Sequence, residues 1–156
     1  MAEPIMSSEF GAGVMDNRHV ADGIKVQAEH CRRNGAPVTA RIVEAQLALM
    51  QGATRCGHRI AHWPGLPLED AMPLRLAGGF HHLHLTGADD RLGPIYSGVI
   101  TQQAEVDALI GAITHDHDAR LLPWLDGPPQ TTKGDVQPVL WQPCFGYRLG
   151  SARALN

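Results

Sequence analysis

The sequence is poor in charged and aromatic side chains. It also lacks an excess of basic residues, a long apolar run and paired cysteines, and each of these three absences excludes a class of protein or site. Charged residues make up 19% of the 156 residues, and aromatic residues 5%. The 13 Lys and Arg are outnumbered by 16 Asp and Glu, which excludes a strongly basic nucleic-acid-binding protein. No apolar run is long enough to span a bilayer, and the N-terminus lacks the basic and apolar segments of a secretory signal. The three cysteines include no Cys-x-x-Cys pair and so give no zinc-knuckle spacing.

The chain is instead rich in turn-forming residues and acidic in its middle. Its 17 Gly and 11 Pro predict frequent turns and loops. Residues 1–66 carry a formal charge of +1, residues 67–130 of −6 and residues 131–156 of +2, which sum to −3. An acidic centre repels a phosphate backbone. We therefore expect a soluble, cytoplasmic protein that binds neither nucleic acid nor membranes.

Apolar side chains at helical spacing predict a helical hairpin in the first third of the chain. The first helix is expected from an N-cap at Asp16 or Asn17 to Arg33, and its buried stripe is Val20, Ile24, Ala28 and Cys31. A second helix is expected to begin near Pro37 and to end at Gly52. The short link between them predicts antiparallel packing. Residues 53–66 lack a period and are expected to form a loop with one turn.

Residues 68–85 predict a central helix, because two of its faces are apolar. One face consists of Leu74, Ala77, His81 and Leu85, and the other of Leu76, Phe80 and Leu83. The pair Gly78-Gly79 would let another helix approach closely. A fourth helix is expected from Gln102 to His115, followed by a short apolar segment over residues 121–125. No alternating strand is found before residue 130, so the predicted fold is an all-α bundle of four to five helices.

The predicted domain organisation has three parts. Residues 1–15 are expected to form a flexible leader without a helical period. Residues 16–126 form the helical bundle domain. Residues 127–156 begin with Gly127 and two prolines, and they are expected to form a Pro/Gly-rich loop and an irregular tail.

Two histidine clusters are candidate metal sites. His81 and His84 share a helix face, but no Asp or Glu lies between residues 70 and 89 to complete a ligand set. The run from His115 through His117 is similar to the metallo-β-lactamase motif His-x-His-x-Asp-His, but Ala119 and Arg120 stand where that motif needs Asp and His. We therefore predict no metal, and keep these four histidines as weak candidate ligands. The run is better explained as the polar end of the fourth helix.

The sequence contains no recognisable catalytic motif. Its Gly-rich spots follow no strand and open no phosphate-binding helix. No Gly-x-Ser-x-Gly elbow is present. We therefore predict no catalytic residues and no cofactor.

Two segments resemble a bacterial family named domain of unknown function 2332. MPLRLAGGFHHLHLTG at residues 72–87 is similar to its "LPLRLxGxxHxLxLxG" pattern, and PPQT at residues 128–131 resembles its "PPQTNE" motif. The resemblance covers residues 16–131. It implies that Arg75, His81, Gln130 and Thr131 are the family-type polar positions, on the substrate side. It also implies a further half with a strand and a Gly-rich loop similar to the S-adenosylmethionine-binding turn of methyltransferases.

After residue 131 the resemblance ends, because Thr132 and Lys133 stand where the family has Asn and Glu. One explanation is that residues from about 132 onward are read in a shifted frame, and the other is a native, divergent tail. Two functions follow as hypotheses. The chain is a non-catalytic helical domain or truncated member of a larger family, with an exposed apolar face that permits self-association. Alternatively, it is part of a methyltransferase-like small-molecule enzyme.

Overall fold

The computed structural model describes residues 6–127, with side chains from residue 17 onward. This part of the chain is built from helices and contains no strand, which confirms the all-α prediction. The helices are α1 (Met6–Arg33), α2 (Pro37–Leu49), α3 (Arg55–Ala61), α4 (Met72–Leu85), α5 (Gly93–Tyr96) and α6 (Gln103–Leu125), with a 3₁₀ turn at Asp90–Leu92. None of the helices in residues 6–127 combines the length and the apolar composition needed to cross a membrane.

The predicted hairpin of α1 and α2 is present. The stripe of Val20, Ile24, Ala28 and Cys31 is fully or almost fully buried. At the turn, Gly35 has a φ of +78°, and the amide of Ala36 donates to the carbonyl of Cys31 at 2.9 Å, which forms a Schellman cap. An ion pair between Arg32 and Glu44 joins the two helices.

Helix α1 begins at Met6, well before the predicted cap at Asp16 or Asn17. Extending an existing helix adds one hydrogen bond per residue, so an extension needs no buried stripe of its own. The expected leader, residues 1–15, therefore overlaps the helix from residue 6 onward. Residues 1–5 of that leader, and the predicted tail from residue 128 onward, lie outside the described residues.

Helix α3 occupies a region that was expected to be a loop with one turn. Its first turn is capped by Thr54, whose hydroxyl accepts a hydrogen bond from the amide of Gly57 at 3.0 Å. Cys56, Ile60 and Ala61 are buried. The helix is too short for a repeating apolar pattern to identify it, and it packs against α2 and α6.

Helix α4 is largely buried, as its two apolar faces predict, but it is shorter than predicted, and the helix that contacts most of the others is α2, which packs against α1, α3, α4 and α6. It begins at Met72, after Ala71 in a left-handed conformation with φ of 52°. The face of Leu76, Phe80 and Leu83 is buried. On the other predicted face Leu74 and Ala77 are also buried, whereas Leu85 is 56% exposed. The glycine pair permits close approach as expected, since a Cβ built on Gly79 would lie 3.0 Å from Leu121 Cδ2 and from Trp124 Cγ of α6.

Helix α6 combines the predicted fourth helix and the apolar segment after it. The helix bends at His117, which has a non-helical φ of −117° and ψ of 20°. Beyond the bend Leu121, Trp124 and Leu125 are buried. The expected end at His115 is therefore wrong, because the polar run from residue 115 to 118 marks a bend within a helix and not its terminus.

Candidate functional site

A network of polar side chains lies at the bend of α6, and we call Asp89, Arg91, Asp116 and His117 the bend network. Asp89 Oδ1 accepts from the backbone amide of Arg91 at 3.0 Å and from its Nε at 2.9 Å. The other oxygen, Oδ2, lies 2.6 Å from Arg91 Nη2 and 2.9 Å from His117 Nε2. Arg91 Nη2 also donates to Asp116 at 2.8 Å. The network thus joins the 3₁₀ turn to the bend.

Asp89 stays ionised because of these contacts. Its side chain is only 6% exposed. The hydrogen bonds from the Arg91 guanidinium hold the pKa of Asp89 well below its ordinary value, although burial acts in the opposite direction. The carboxylate also caps the 3₁₀ turn through the Arg91 amide. Asp89 is therefore a buried anion with hydrogen bonds to both carboxylate oxygens, and its role is structural.

Asp118, one residue past the bend, binds the first turn of α3. Its Oδ1 accepts from the amide of Cys56 at 2.9 Å, and its Oδ2 accepts from the amide of Arg55 at 2.9 Å. Burial of Asp118 disfavours its charged form, but these hydrogen bonds outweigh burial and lower its pKa. Burial, reinforced by the hydrogen bond to Asp118, raises the pKa of the Cys56 thiol far above its ordinary value. Cys56 is thus not a ready nucleophile.

Of the four substrate-side candidates, the two that the structure describes, Arg75 and His81, contact different parts of the bundle. Arg75 Nη1 donates to the carbonyl of Leu125 at 3.1 Å, at the end of α6. Arg75 Nε is buried, and no hydrogen-bond acceptor for it occurs among the described residues. His81 instead packs against Tyr96 of α5, with ring centroids 5.3 Å apart. Gln130 and Thr131 lie outside the described residues.

The four candidate metal ligands lie in two separate places, against Tyr96 and at the bend of α6. His84 stacks on Tyr96 with ring centroids 4.4 Å apart, beside His81. Burial, and then the neighbouring His84 and His82, lower the pKa of His81. His115 is 82% exposed and lies 3.3 Å from Asp116, whereas His117 is held by Asp89. Within the part of the chain with placed side chains, no three or more His, Cys, Asp or Glu are grouped to hold a metal ion.

The described residues line three cavities, and each lining contains at least one arginine. The largest, about 530 Å³, lies between α4 and α6, and we call it the α4–α6 groove. The other two measure about 390 and 380 Å³. None of the three has an Asp or Glu in its lining, whereas each contains Arg: Arg120 in the groove, Arg55 and Arg59 in the second, and Arg18 in the third. The buried carboxylate of Asp89 and the partly buried carboxylate of Asp118 therefore face no described cavity.

Sequence reasoning missed Asp89, Asp118 and Cys56 as members of these contacts. Asp118 is separated from the α3 amides by 62 or 63 residues, so no local spacing reveals the cap. The one available signal was the alternation of His and Asp over residues 115–118. Four such side chains in succession cannot all lie on the solvent side of a straight helix.

Comparison with known proteins gives one match. A protein-family model described as "Uncharacterized protein conserved in bacteria (DUF2332)" matches residues 21–141. The matched span includes the whole of α2 to α6 and continues past residue 131, and residues 142–156 lie beyond it. No curated protein and no solved structure matches the chain.

Proposed function

The chain belongs to this bacterial DUF2332 family, and from that premise we propose that residues 16–126 act as a non-catalytic helical module of a larger protein or assembly. The module contributes packing surface and a fixed frame. Any chemistry is carried out by a different part of the assembly. The C-terminal tail after residue 141 has no part in this proposal.

The proposal rests on the hydrogen bonds that occupy two carboxylates, those of Asp89 and Asp118. A general acid or base must reach the proton that it transfers, at hydrogen-bond distance from the substrate. Asp89 binds Arg91 and His117, and Asp118 binds the amides of Arg55 and Cys56. Both carboxylates thus fix the backbone of a helical turn and face no described cavity. These two carboxylates therefore serve the fold and are not placed to transfer a proton to a ligand.

An apolar surface supports association as the role of the module. Val26 of α1 is 54% exposed, and Leu66 and Leu68 of the loop before α4 are 54% and 43% exposed. The loop lies on α1, because His19 Nε2 is 3.4 Å from the carbonyl of Gly65 and a Cβ on Gly23 would lie 3.0 Å from Pro67. Val26 is on the same helix face as Gly23. We call these three side chains the α1–loop surface, and propose that a second copy of the chain covers it.

Thermal unfolding with added ligand tests the proposal. A ligand present at 100 times its dissociation constant stabilises a protein by about 2.7 kcal/mol, which raises the Tm of a domain of this size by several degrees. We expect S-adenosylmethionine to leave the Tm of the full chain unchanged. A concentration-dependent rise would overturn the proposal in favour of the methyltransferase-like alternative.

A second titration, with Zn²⁺ or Ni²⁺, addresses the histidines. We expect no specific stabilisation. A rise in Tm that disappears in a variant with His81→Gln and His84→Gln would assign a metal site to α4, and would contradict the purely structural role. The comparison variant is His58→Gln with His62→Gln, two rings that stack at the C-terminal end of α3 with centroids 4.3 Å apart. Loss of the rise in that variant instead would place the ion on α3 and would also contradict the purely structural role.

A further inference from the structure

The α4–α6 groove has the properties of a ligand site, and we propose that it binds a small aromatic carboxylate. The inference goes beyond the role of a packing module and rests on different residues. It concerns the groove formed by the second half of α4 and the part of α6 beyond the bend. The cavity volume of about 530 Å³ lies in the range of small-molecule sites.

The interior of the groove suits a flat, apolar body. Gly79 contributes no side chain, so the α4 backbone comes close to Trp124. Leu83, Ala119 and Pro123 add further apolar lining. The ring of His82 packs against Trp124 with centroids 5.5 Å apart and planes tilted by 41°. An aromatic ligand can continue this ring contact in an offset or tilted geometry, as aromatic pairs prefer.

The charge of the lining selects an anion. Arg120 is exposed in the wall of the groove and makes no ion pair or hydrogen bond to another described residue. None of the nine lining residues is acidic. The C-terminal end of α4 adds a partial negative charge of about half a unit, which the full charge of Arg120 exceeds. A guanidinium matches a carboxylate with two parallel hydrogen bonds, so this group is the expected anchor.

Among the polar side chains that line the groove, Arg120 is the one expected to bind the carboxylate of the ligand. Thr86 Oγ1 donates to the carbonyl of His82 at 2.8 Å, within the last turn of α4. Ala119 and Arg120 lie two and three residues after the bend at His117. The contact of His117 with Asp89 fixes this bend. Arg120 is thus presented by a helix whose direction is already set. A preorganised wall lowers the entropic cost of binding.

Calorimetric titration of the full chain tests the site, with 2-naphthoate as probe and the uncharged 2-naphthamide as its matched analogue. We expect the acid to bind at least about tenfold more tightly than the amide, the ratio that one charge-assisted hydrogen-bond pair supplies. In Arg120→Gln the two probes should bind equally. The control Arg41→Gln removes a cation that lines none of the three cavities, and should keep the preference.

A second variant tests the place of binding. Ala119→Trp fills the groove from an exposed position of α6, and it should abolish binding of both probes while circular dichroism stays unchanged. Equal affinity of acid and amide in the unmodified chain, absence of binding at millimolar probe, or binding that survives Ala119→Trp overturns the inference. A rise in Tm with S-adenosylmethionine that persists in Ala119→Trp would overturn the packing-module proposal alone.

Discussion

The carboxylate of Asp118 in α6 accepts a hydrogen bond from the backbone amide of Cys56 in α3 at 2.9 Å. Its second oxygen does the same for Arg55, so one side chain satisfies two of the amides that a helix leaves unpaired at its first turn. Together with the hydroxyl of Thr54, it defines where α3 begins. A helix of seven residues depends on such contacts, since its intrinsic stability is low.

Loss of this cap should destabilise the protein. In Asp118→Ala the amides of Arg55 and Cys56 lose their acceptor, and we expect the free energy of unfolding to fall by about 1–2 kcal/mol. Urea denaturation followed by circular dichroism measures the change. The control is Asp116→Ala, because Asp116 is 52% exposed and its ion pair with Arg91 lies at the surface. That variant should lose less than about 1 kcal/mol. Equal losses in the two variants would show that the cap contributes nothing specific.

The close approach of α4 and α6 makes Gly79 sensitive to a single methyl group. In Gly79→Ala the new Cβ would lie 3.0 Å from Leu121 and Trp124, so we expect a crowding cost of about 1–3 kcal/mol that exceeds the gain in helix propensity. The control is Gly111→Ala in α6, where a Cβ meets no atom within 4 Å. It should raise the free energy of unfolding by about 0.5–1 kcal/mol. Chemical denaturation of both variants compares the signs, and a stabilised Gly79→Ala would contradict the packing described.

His81 should make stability depend on pH in the mildly acidic range. Its pKa in the folded chain lies below the ordinary value of 6.5, chiefly because of burial and then because of His84 and His82. Below pH 6.5 the unfolded chain therefore binds more protons than the folded chain, and the free energy of unfolding falls as the pH is lowered. In His81→Phe, which keeps a ring against Tyr96, this slope should be smaller.

Denaturation curves at several pH values measure that slope, with the exposed His115→Gln as control. The lowered pKa values of Asp89 and Asp118 act in a separate window. Their stabilising effect is present above the ordinary value of 3.8 and is lost as the pH falls below it. A slope above pH 4.5 that is identical in His81→Phe and in the unmodified chain would assign the effect to other groups.

The α1–loop surface should govern self-association. In Val26→Glu a charge replaces an apolar side chain of this surface, and we expect the weight-average mass at high protein concentration to fall to that of the monomer. Light scattering across a concentration series measures it. Val99→Glu is the matched control, because Val99 is 77% exposed but follows α5, outside the surface. Monomers at every concentration in the unmodified chain would contradict the proposal.

Local pattern was sufficient to predict the parts of the fold that local contacts stabilise. The buried stripe of α1 and the hairpin with α2 follow from apolar spacing within each helix and from the short link between them. The glycine pair of α4 predicts that another helix approaches closely, but Leu121 and Trp124, which meet Gly79, are 42 and 45 residues further along. Helix α3 could not be predicted, since its cap comes from Asp118. The bend at His117 was also hidden, because the contact that holds it comes from Asp89, 28 residues earlier. Contacts over 28 residues for Asp89 and over 62 or 63 residues for Asp118 concealed the roles of these two carboxylates.

The cap of α3 also has a consequence for the order of events during synthesis. The contacts between α1 and α2 can form once residue 49 has emerged, whereas the acceptor for the amide of Cys56 is 62 residues further along. Translation must therefore proceed through most of α6 before α3 acquires its lasting start, and a nascent chain paused earlier exposes this segment to chaperones and proteases.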